Sequence, residues 1–243
     1  AGVCAAQLAQ HGFHGPHAIF EPTQWGNFFR TYGAIDADPQ CLTTRWGEFW
    51  RINRCSIKPY ATCRGSHSGI DAISQMMQMH QLAADDIAHI DIDISAFQYG
   101  MCGSTAITTR AEAQMSLPYA LAAQLCYGKV FLAELEPAAW TAPDITDWLS
   151  RISVRIDDQQ ADADEPIIHA TTQRGMRYSL RIPYPLGSPS NPLTEAQILA
   201  KYTDLASPIL GTRQCDALAQ YVLTMDTHDD VRRLGSMLRA PNG

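Results

Sequence analysis

The chain has 243 residues, of which 46% are hydrophobic, and its 18 basic and 25 acidic residues leave a net charge of −7. This length and apolar content allow a packed core and exclude a disordered or fibrous protein. Because the sequence has no basic run or aromatic-interleaved basic stripe, we do not expect nucleic acid as a partner.

The first elements are predicted to be short helices joined by irregular chain. Residues 3–10 are Ala-rich and predict a helix that is already under way where the sequence starts. Thr23 is expected to cap a short helix that ends at Gly33. Residues 34–57 are predicted to be irregular and are rich in aromatic side chains.

The run from residue 58 to residue 67, Lys-Pro-Tyr-Ala-Thr-Cys-Arg-Gly-Ser-His, concentrates cations, a thiol, a hydroxyl and an imidazole. Apolar residues at helical spacing follow it and predict a helix that begins at residue 66 or 67 and ends near Gln81. The start of a helix has unpaired N–H groups and the positive end of the helix dipole. With Lys58 and Arg64 beside it, this segment is predicted to bind a carboxylate and to form part of the active site.

The middle of the chain alternates strands and helices. Ser116 is expected to cap a helix that ends at about Tyr127, and another helix is expected around residues 145–149. The last two of the predicted strands form a hairpin. The predicted strands cover residues 89–94, 152–156, 167–171 and 176–182.

The last part of the chain is predicted to be helical. Residues 184–192 are rich in Pro, Gly and Ser and indicate a linker. Thr194 and Gln197 predict a capping box, after which the chain is expected to be helical to about Leu238. The order helix, mixed α/β, helix predicts an α+β fold in which an α/β module is inserted into a helical one.

Apolar stretches, cysteine spacing and histidine spacing indicate whether the chain crosses a membrane or holds a metal. No stretch approaches the roughly 20 apolar residues that cross a bilayer, and no secretory signal pattern is present, so we expect a soluble, cytoplasmic protein that does not bind membranes. The seven cysteines form no C-x-x-C pair, which favours free thiols over a zinc or iron–sulfur site. His11, His14 and His17 lie in a predicted turn, so no metal site is expected there.

Four segments, in order and spacing, resemble the C-terminal half of the MmgE/PrpD family. They are residues 5–13, 58–72, 116–120 and 187–193, and together they extend over nearly the whole chain. The family includes 2-methylcitrate dehydratase, cis-aconitate decarboxylase and iminodisuccinate epimerase.

The resemblance implies a domain organisation and an assembly. Residues 1–57 and 186–243 would be part of an all-helical domain, and residues 58–185 an inserted α/β lid domain, with the active site in the cleft. A homodimer and the absence of a cofactor are also implied. Because family chains are much longer, we expect this chain to lack an N-terminal half and to be inactive alone or to need that half in trans.

The resemblance also implies roles for individual residues in chemistry on small di- and tricarboxylates. Lys58 matches the family's active-site lysine and Tyr119 its lid tyrosine, and both are expected to be catalytic. Cys63 stands where decarboxylase members have a histidine, which favours dehydration or isomerisation over decarboxylation of cis-aconitate.

Three more side chains of the 58–67 run are candidate site residues. His67 is the remaining imidazole for acid–base work, and Arg64 can clamp a carboxylate through two N–H groups. Ser66, like Cys63, is expected to contact the substrate.

Several of these candidates also have a purely structural interpretation. The alternatives are a surface lysine at Lys58, a packing residue at Tyr119, a small buried residue at Cys63 and a helix-start residue bonded to backbone at His67.

The sequence therefore predicts a cofactor-free dehydratase acting on a small anionic polycarboxylate such as 2-methylcitrate. One alternative is an epimerase or isomerase on the same scaffold, which would return the proton instead of losing water. The other is a catalytically incomplete subunit that binds or regulates a full-length relative.

Overall fold

The computed structural model describes residues 1–21, 23–24, 26–33 and 39–240, and contacts divide the chain into two units, residues 1–53 and 54–243. Of the stretch predicted to be irregular, residues 34–38 lie outside the described part. The α-helices are α1 (Gly2–Gln10), α2 (Phe28–Tyr32), α3 (His67–His80), α4 (Ala96–Cys102), α5 (Arg110–Gln114), α6 (Leu117–Tyr127), α7 (Pro137–Trp140), α8 (Pro143–Ser150), α9 (Glu195–Leu210), α10 (Thr212–Leu223) and α11 (Arg232–Met237). The strands are β1 (Ile87–Ile94), β2 (Ile152–Ile156), β3 (Ile167–Thr172) and β4 (Arg177–Arg181).

The first unit contains α1 and α2. α1 confirms the helix predicted over residues 3–10. The cap of α2 is Asn27, whose side-chain oxygen accepts a backbone N–H of the first turn at 2.9 Å, so the prediction of Thr23 as the cap was wrong. Thr23 lies too far before the helix, and its hydroxyl donates to the Gly26 carbonyl instead.

A four-stranded sheet in the order β2-β1-β3-β4 organises the second unit. β1 is parallel to β2 and antiparallel to β3, and β4 is antiparallel to β3. All four predicted strands are confirmed, as is the hairpin, whose turn places Gly175 at a φ of 79° that favours glycine.

The two faces of the sheet differ in chemistry. Ile90 and Ile92 of β1 are fully buried in the core cluster that includes side chains of α3 and α6. Asp91 and Asp93 alternate with these residues along β1 and lie on the opposite face, where His169 of β3 also lies. The strict apolar alternation in the sequence thus predicts the buried face correctly.

The two helices nearest the basic run form where the sequence predicts them. α3 begins at His67 and ends before Gln81, which has a left-handed conformation with φ of 51°. α6 begins after Ser116, whose hydroxyl accepts the Tyr119 N–H at 3.0 Å, and ends before Gly128. The Ser116 side chain thus caps the start of α6, and the left-handed Gln81 ends α3.

Three short helices, α4, α5 and α7, were not predicted. Each spans seven residues or fewer, which is too short for a helical repeat of apolar side chains to stand out. Ser95 caps α4, and Thr109 with Glu112 forms a capping box at α5, so a capping signal was present in the sequence.

The two ends of the α/β segment, near residues 57 and 187, are hydrogen-bonded to each other. The Ile57 N–H donates to the Gly187 carbonyl at 2.9 Å. A Cβ on Gly187 would lie 2.0 Å from the Ile57 carbonyl oxygen, so only glycine allows this approach. α9 then begins at the predicted capping box of Thr194 and Gln197.

The α+β class is confirmed by the helices and the single mixed sheet of the described residues. The division into helical segments 1–57 and 186–243 around a lid at 58–185 stays a prediction. No helix in the described part of the chain is both long and apolar enough to cross a bilayer.

Candidate functional site

Residues 58–67, which we call the basic turn, lead into α3 through a short 3-10 helix at Arg64–Ser66. The Ser66 hydroxyl donates to the Cys63 carbonyl at 2.8 Å. Its single proton is thereby used, so the Thr62 hydroxyl donates to Ser66 at 2.8 Å. Ser66 is fully buried and holds the turn together, and its contact with a substrate stays a prediction.

Lys58 and His67 converge on one acceptor, the Thr62 carbonyl. The Lys58 ammonium donates to it at 3.1 Å, and the His67 Nε2 lies 3.4 Å from it. Because a carbonyl only accepts, Nε2 has the proton and Nδ1 keeps its lone pair. The structure thus brings these two predicted catalytic residues together.

His67 is held in its neutral form. Burial lowers its pKa to about 4, and the charges of Arg64, Lys58 and Lys201 act in the same direction, against the Thr62 carbonyl. The side chain is 1% exposed, and the Tyr60 ring meets the imidazole edge to face at 5.2 Å. An imidazole with so low a pKa is a weak base at neutral pH. Its burial and its contact with the Thr62 carbonyl match the alternative of a helix-start residue bonded to backbone, and the acid–base role stays a prediction.

The pKa of the Cys63 thiol is lowered to about 6, a shift that no pattern in the sequence predicts. The hydrogen bond from Cys102 lowers its pKa, and the Gly65 N–H and the charges of Lys58 and Arg64 add to that effect, against burial. Cys63 is both a small buried residue, 8% exposed, and a thiol with thiolate character.

Arg64 has a carboxylate partner within the chain. Its Nη2 donates to Glu165 Oε1 at 2.8 Å, and the Ser68 hydroxyl donates to Oε2 of the same carboxylate at 2.7 Å. Glu165 was missed because it belongs to an acidic run, Asp162 to Glu165, that has no spacing signal for a site. The predicted carboxylate clamp at Arg64 is therefore engaged with Glu165 in this structure.

Tyr119 lies apart from these polar contacts. Its ring is fully buried in the core at the start of α6, and its hydroxyl donates to the Glu134 carbonyl. Burial raises its pKa above the usual range. The alternative that the sequence left open was a half-buried packing residue with its hydroxyl in water, whereas here the whole side chain is buried and the hydroxyl bonds to backbone. The catalytic role stays a prediction.

Asp71 of α3 fastens the basic turn to the start of the C-terminal segment. Its carboxylate accepts the Tyr60 hydroxyl at 2.5 Å and the Leu186 N–H at 2.7 Å. From α9, the Lys201 ammonium donates to the Lys58 carbonyl at 2.8 Å. Residues from three distant parts of the sequence therefore fix the position of Lys58.

A cavity of about 340 Å³ adjoins the basic turn. Pro59 and Tyr60 line one side, and Lys129 and Lys201 are also among its lining residues. Its volume is within the range of small-molecule sites.

The charges around the turn are unevenly paired. Lys58 and Lys201 donate to backbone carbonyls, and no carboxylate of the described residues lies within ion-pair distance of either. Together with the N-terminus of α3, these cations form a surface suited to a carboxylate.

Comparisons with known proteins show which family and which proteins the chain resembles. Residues 60–227 match the family model of the MmgE/PrpD C-terminal domain. A cis-aconitate decarboxylase-like protein, oryM, of Aspergillus oryzae is 23% identical over 98% of this chain and 52% of its own length. A cis-aconitate decarboxylase of Aspergillus terreus is 26% identical over 99% of this chain and 52% of its own length. The chain thus spans about half the length of these curated relatives.

Proposed function

The chain belongs to the MmgE/PrpD family, and we propose that it is the C-terminal portion of a lyase acting on a small di- or tricarboxylate without a cofactor. The observation behind this proposal is the basic turn, where Lys58 and Lys201 have no carboxylate partner among the described residues. A substrate carboxylate would supply the missing negative charge.

The proposed reaction begins with removal of a proton beside a substrate carboxylate. The carbanion that develops needs fixed positive charge where its own charge grows, and Lys58 is our choice for that role. The His67 imidazole donates to the same Thr62 carbonyl as Lys58, so both side chains help to fix the conformation of the basic turn. The acid–base role of His67 in the reaction remains part of the proposal, and the pH dependence of turnover tests it.

Arg64 is proposed to bind a second carboxylate of the substrate. The contact with Glu165 uses Nη2 of the guanidinium, and the side chain is 40% exposed, so other N–H groups remain for a ligand.

Loss of water completes the reaction in our first proposal, because Cys63 replaces the histidine of decarboxylase members. Decarboxylation is a second candidate, since two of the similar proteins are named cis-aconitate decarboxylases. An epimerase would make the same carbanion and return the proton.

We further propose that the working enzyme contains an N-terminal half and assembles as a cytoplasmic homodimer. In support, α9 and α10 leave apolar side chains exposed, among them Leu205, Ile209, Val222 and Leu223. Exposed apolar side chains of this kind are suited to packing against a second protein surface. Mixing the chain with an N-terminal half from a family member and measuring mass by light scattering tests the assembly.

Proton NMR in deuterated water tests the reaction. The chain, alone and with the family N-terminal half, is incubated with 2-methylcitrate, citrate, cis-aconitate and iminodisuccinate. Loss of water indicates a dehydratase, loss of carbon dioxide a decarboxylase, and deuterium incorporation without elimination an epimerase. No change in any substrate, with folded and associated protein, would contradict the enzyme proposal and favour a binding subunit.

A further inference from the structure

Two thiols meet behind the basic turn. Cys63 lies in the turn and Cys102 is the last residue of α4, and each thiol shifts the pKa of the other. They are 8% and 2% exposed, and both are free thiols. They are 39 positions apart in the sequence, so the fold creates this pair.

A glycine allows the pair to approach. A Cβ on Gly65 would lie 3.2 Å from the Cys102 sulfur, 3.8 Å from the Cys63 sulfur and 2.9 Å from the Met101 methyl group. A larger residue at this position would push the Met101 side chain and the Cys102 sulfur away from the turn. Both sulfurs therefore lie against one point of the backbone.

The two thiols have different electrostatic surroundings. Cys63 has Lys58, Arg64 and the Gly65 N–H around it, which favour its thiolate. Cys102 faces that thiolate and is buried, so its pKa is raised and it keeps its proton. A thiolate beside a protonated thiol is the arrangement of a reactive and a resolving cysteine.

We propose that Cys63 and Cys102 form a peroxide-sensitive dithiol that closes to an intramolecular disulfide. The Cys63 thiolate attacks one oxygen of hydrogen peroxide, the O–O bond breaks, and with one proton Cys63 becomes a sulfenic acid while water leaves. The Cys102 thiol then gives up its proton and attacks the Cys63 sulfur. The S–O bond breaks, the S–S bond forms, and the leaving hydroxide takes that proton as a second water.

The balance of this sequence is two thiols and one peroxide giving one disulfide and two waters. The two sulfurs lose two electrons and the peroxide gains them. The bond ties the basic turn to α4 and removes a negative charge from between Lys58 and Arg64. A dithiol reductant returns the pair to its starting state.

Other thiols of the chain provide internal controls. Cys126 is half-buried, and burial raises its pKa to about 11, so it should react slowly. Cys215 is buried, and Cys55 is exposed. Trypsin does not cut before Pro59, so Cys55 and Cys63 remain in one peptide, 55–64, whereas Cys102 lies in peptide 65–110.

The test is mass spectrometry of the full chain after brief exposure to hydrogen peroxide, with a Cys55→Ser variant to make the assignment unique. We expect a cross-link between peptides 55–64 and 65–110 that is two hydrogens lighter than the sum of the reduced peptides. Cys102→Ser should stop at a sulfenic acid on Cys63, which dimedone traps, and Cys63→Ser should leave Cys102 reduced.

A comparison of oxidation rates within the wild-type chain needs no variant, so misfolding of a variant cannot affect it. In the wild-type chain Cys63 should be oxidised at least tenfold faster than Cys126. Equal rates at these two cysteines, or oxidation of Cys63 without a cross-link to Cys102, would overturn the proposal. Neither readout depends on turnover, so the result is independent of the proposed lyase.

Discussion

The basic turn and the polar face of the sheet both gather charged side chains around a histidine, but they differ in how those charges are paired. On the sheet, Asp93 accepts two hydrogen bonds from Arg155, at 3.0 and 2.7 Å, and one from His169 at 3.1 Å. His169 in turn contacts the Ser179 hydroxyl at 2.7 Å. We call these four residues the Asp93 network.

In the Asp93 network the acceptor capacity of the carboxylate is met within the chain. Burial alone would raise the pKa of Asp93, but the bonds from Arg155 and His169 hold it below its usual value. In the basic turn, by contrast, Lys58 has only a carbonyl partner among the described residues. A matched set of charges stabilises a fold, whereas unmatched cations leave a place for a ligand.

Removing Lys58 should have the largest effect. Lys58→Ala in any reconstituted enzyme should lower kcat by 10²–10³-fold, the usual cost of losing one donor to a developing charge, with the fold intact. Steady-state kinetics and circular dichroism measure the two properties. Lys129→Ala, which removes an ammonium from the lining of the adjoining cavity, is the control. Wild-type kinetics in Lys58→Ala would remove this residue from the mechanism.

Acid should destabilise the chain through His67. Its pKa is about 4 when folded against 6.5 ordinarily, so between these values only the unfolded state binds the proton. The free energy of unfolding should therefore fall by about 3 kcal/mol as pH drops from 6.5 to 4, with no contribution from this residue above 6.5.

Urea unfolding at several pH values measures this loss, and His67→Asn should flatten the slope in that window. An unchanged slope in His67→Asn would show that the imidazole is not held neutral by burial.

Breaking the Asp93 network should affect stability and leave catalysis unchanged. Asp93→Asn removes the charge that Arg155 and His169 bind, and we expect a loss of about 2 kcal/mol at neutral pH. This difference should shrink at acid pH, because the wild-type carboxylate is itself protonated there.

Asp91→Asn is the matched control, since Asp91 lies on the same strand face but its side chain is 35% exposed. Its loss should be below about 1 kcal/mol. Equal losses in the two variants would mean that the network has no special stability.

The smallest expected effect concerns Arg64. Arg64→Ala should weaken substrate binding about tenfold, because one charge-assisted contact is lost. Glu165→Gln should do the opposite, since it releases the guanidinium from its internal carboxylate. Apparent KM or a Kd from calorimetry reports both, with Arg110→Ala as a control for loss of an exposed arginine paired to Glu136. An unchanged affinity in Arg64→Ala would exclude the clamp.

The sequence predicted the strands, the longer helices and one cluster of the candidate site. The alternation of residues 89–94 predicts β1 and its buried face, and Ser116 predicts α6, because both depend on neighbours in the chain. The basic turn was visible because its functional side chains are contiguous.

Contacts between distant residues could not be predicted in this way. Glu165 reaches Arg64 across 101 positions, and Cys102 reaches Cys63 across 39. The acidified thiol of Cys63 depends on such contacts, so a sequence pattern cannot show it. Tyr119 illustrates the opposite case, since its place at the start of a helix was predicted but the direction of its hydroxyl was not.

The most direct test of the account is nitrogen-15 NMR of this chain titrated with citrate. Amide shifts should concentrate in residues 58–67 and the first turn of α3, disappear in Lys58→Ala/Arg64→Ala, and spare the Asp93 network. A site with a Kd near 1 mM would be saturated at tens of millimolar citrate. No amide shifts at that concentration, or shifts centred on the sheet face, would contradict the claim that the basic turn binds a carboxylate.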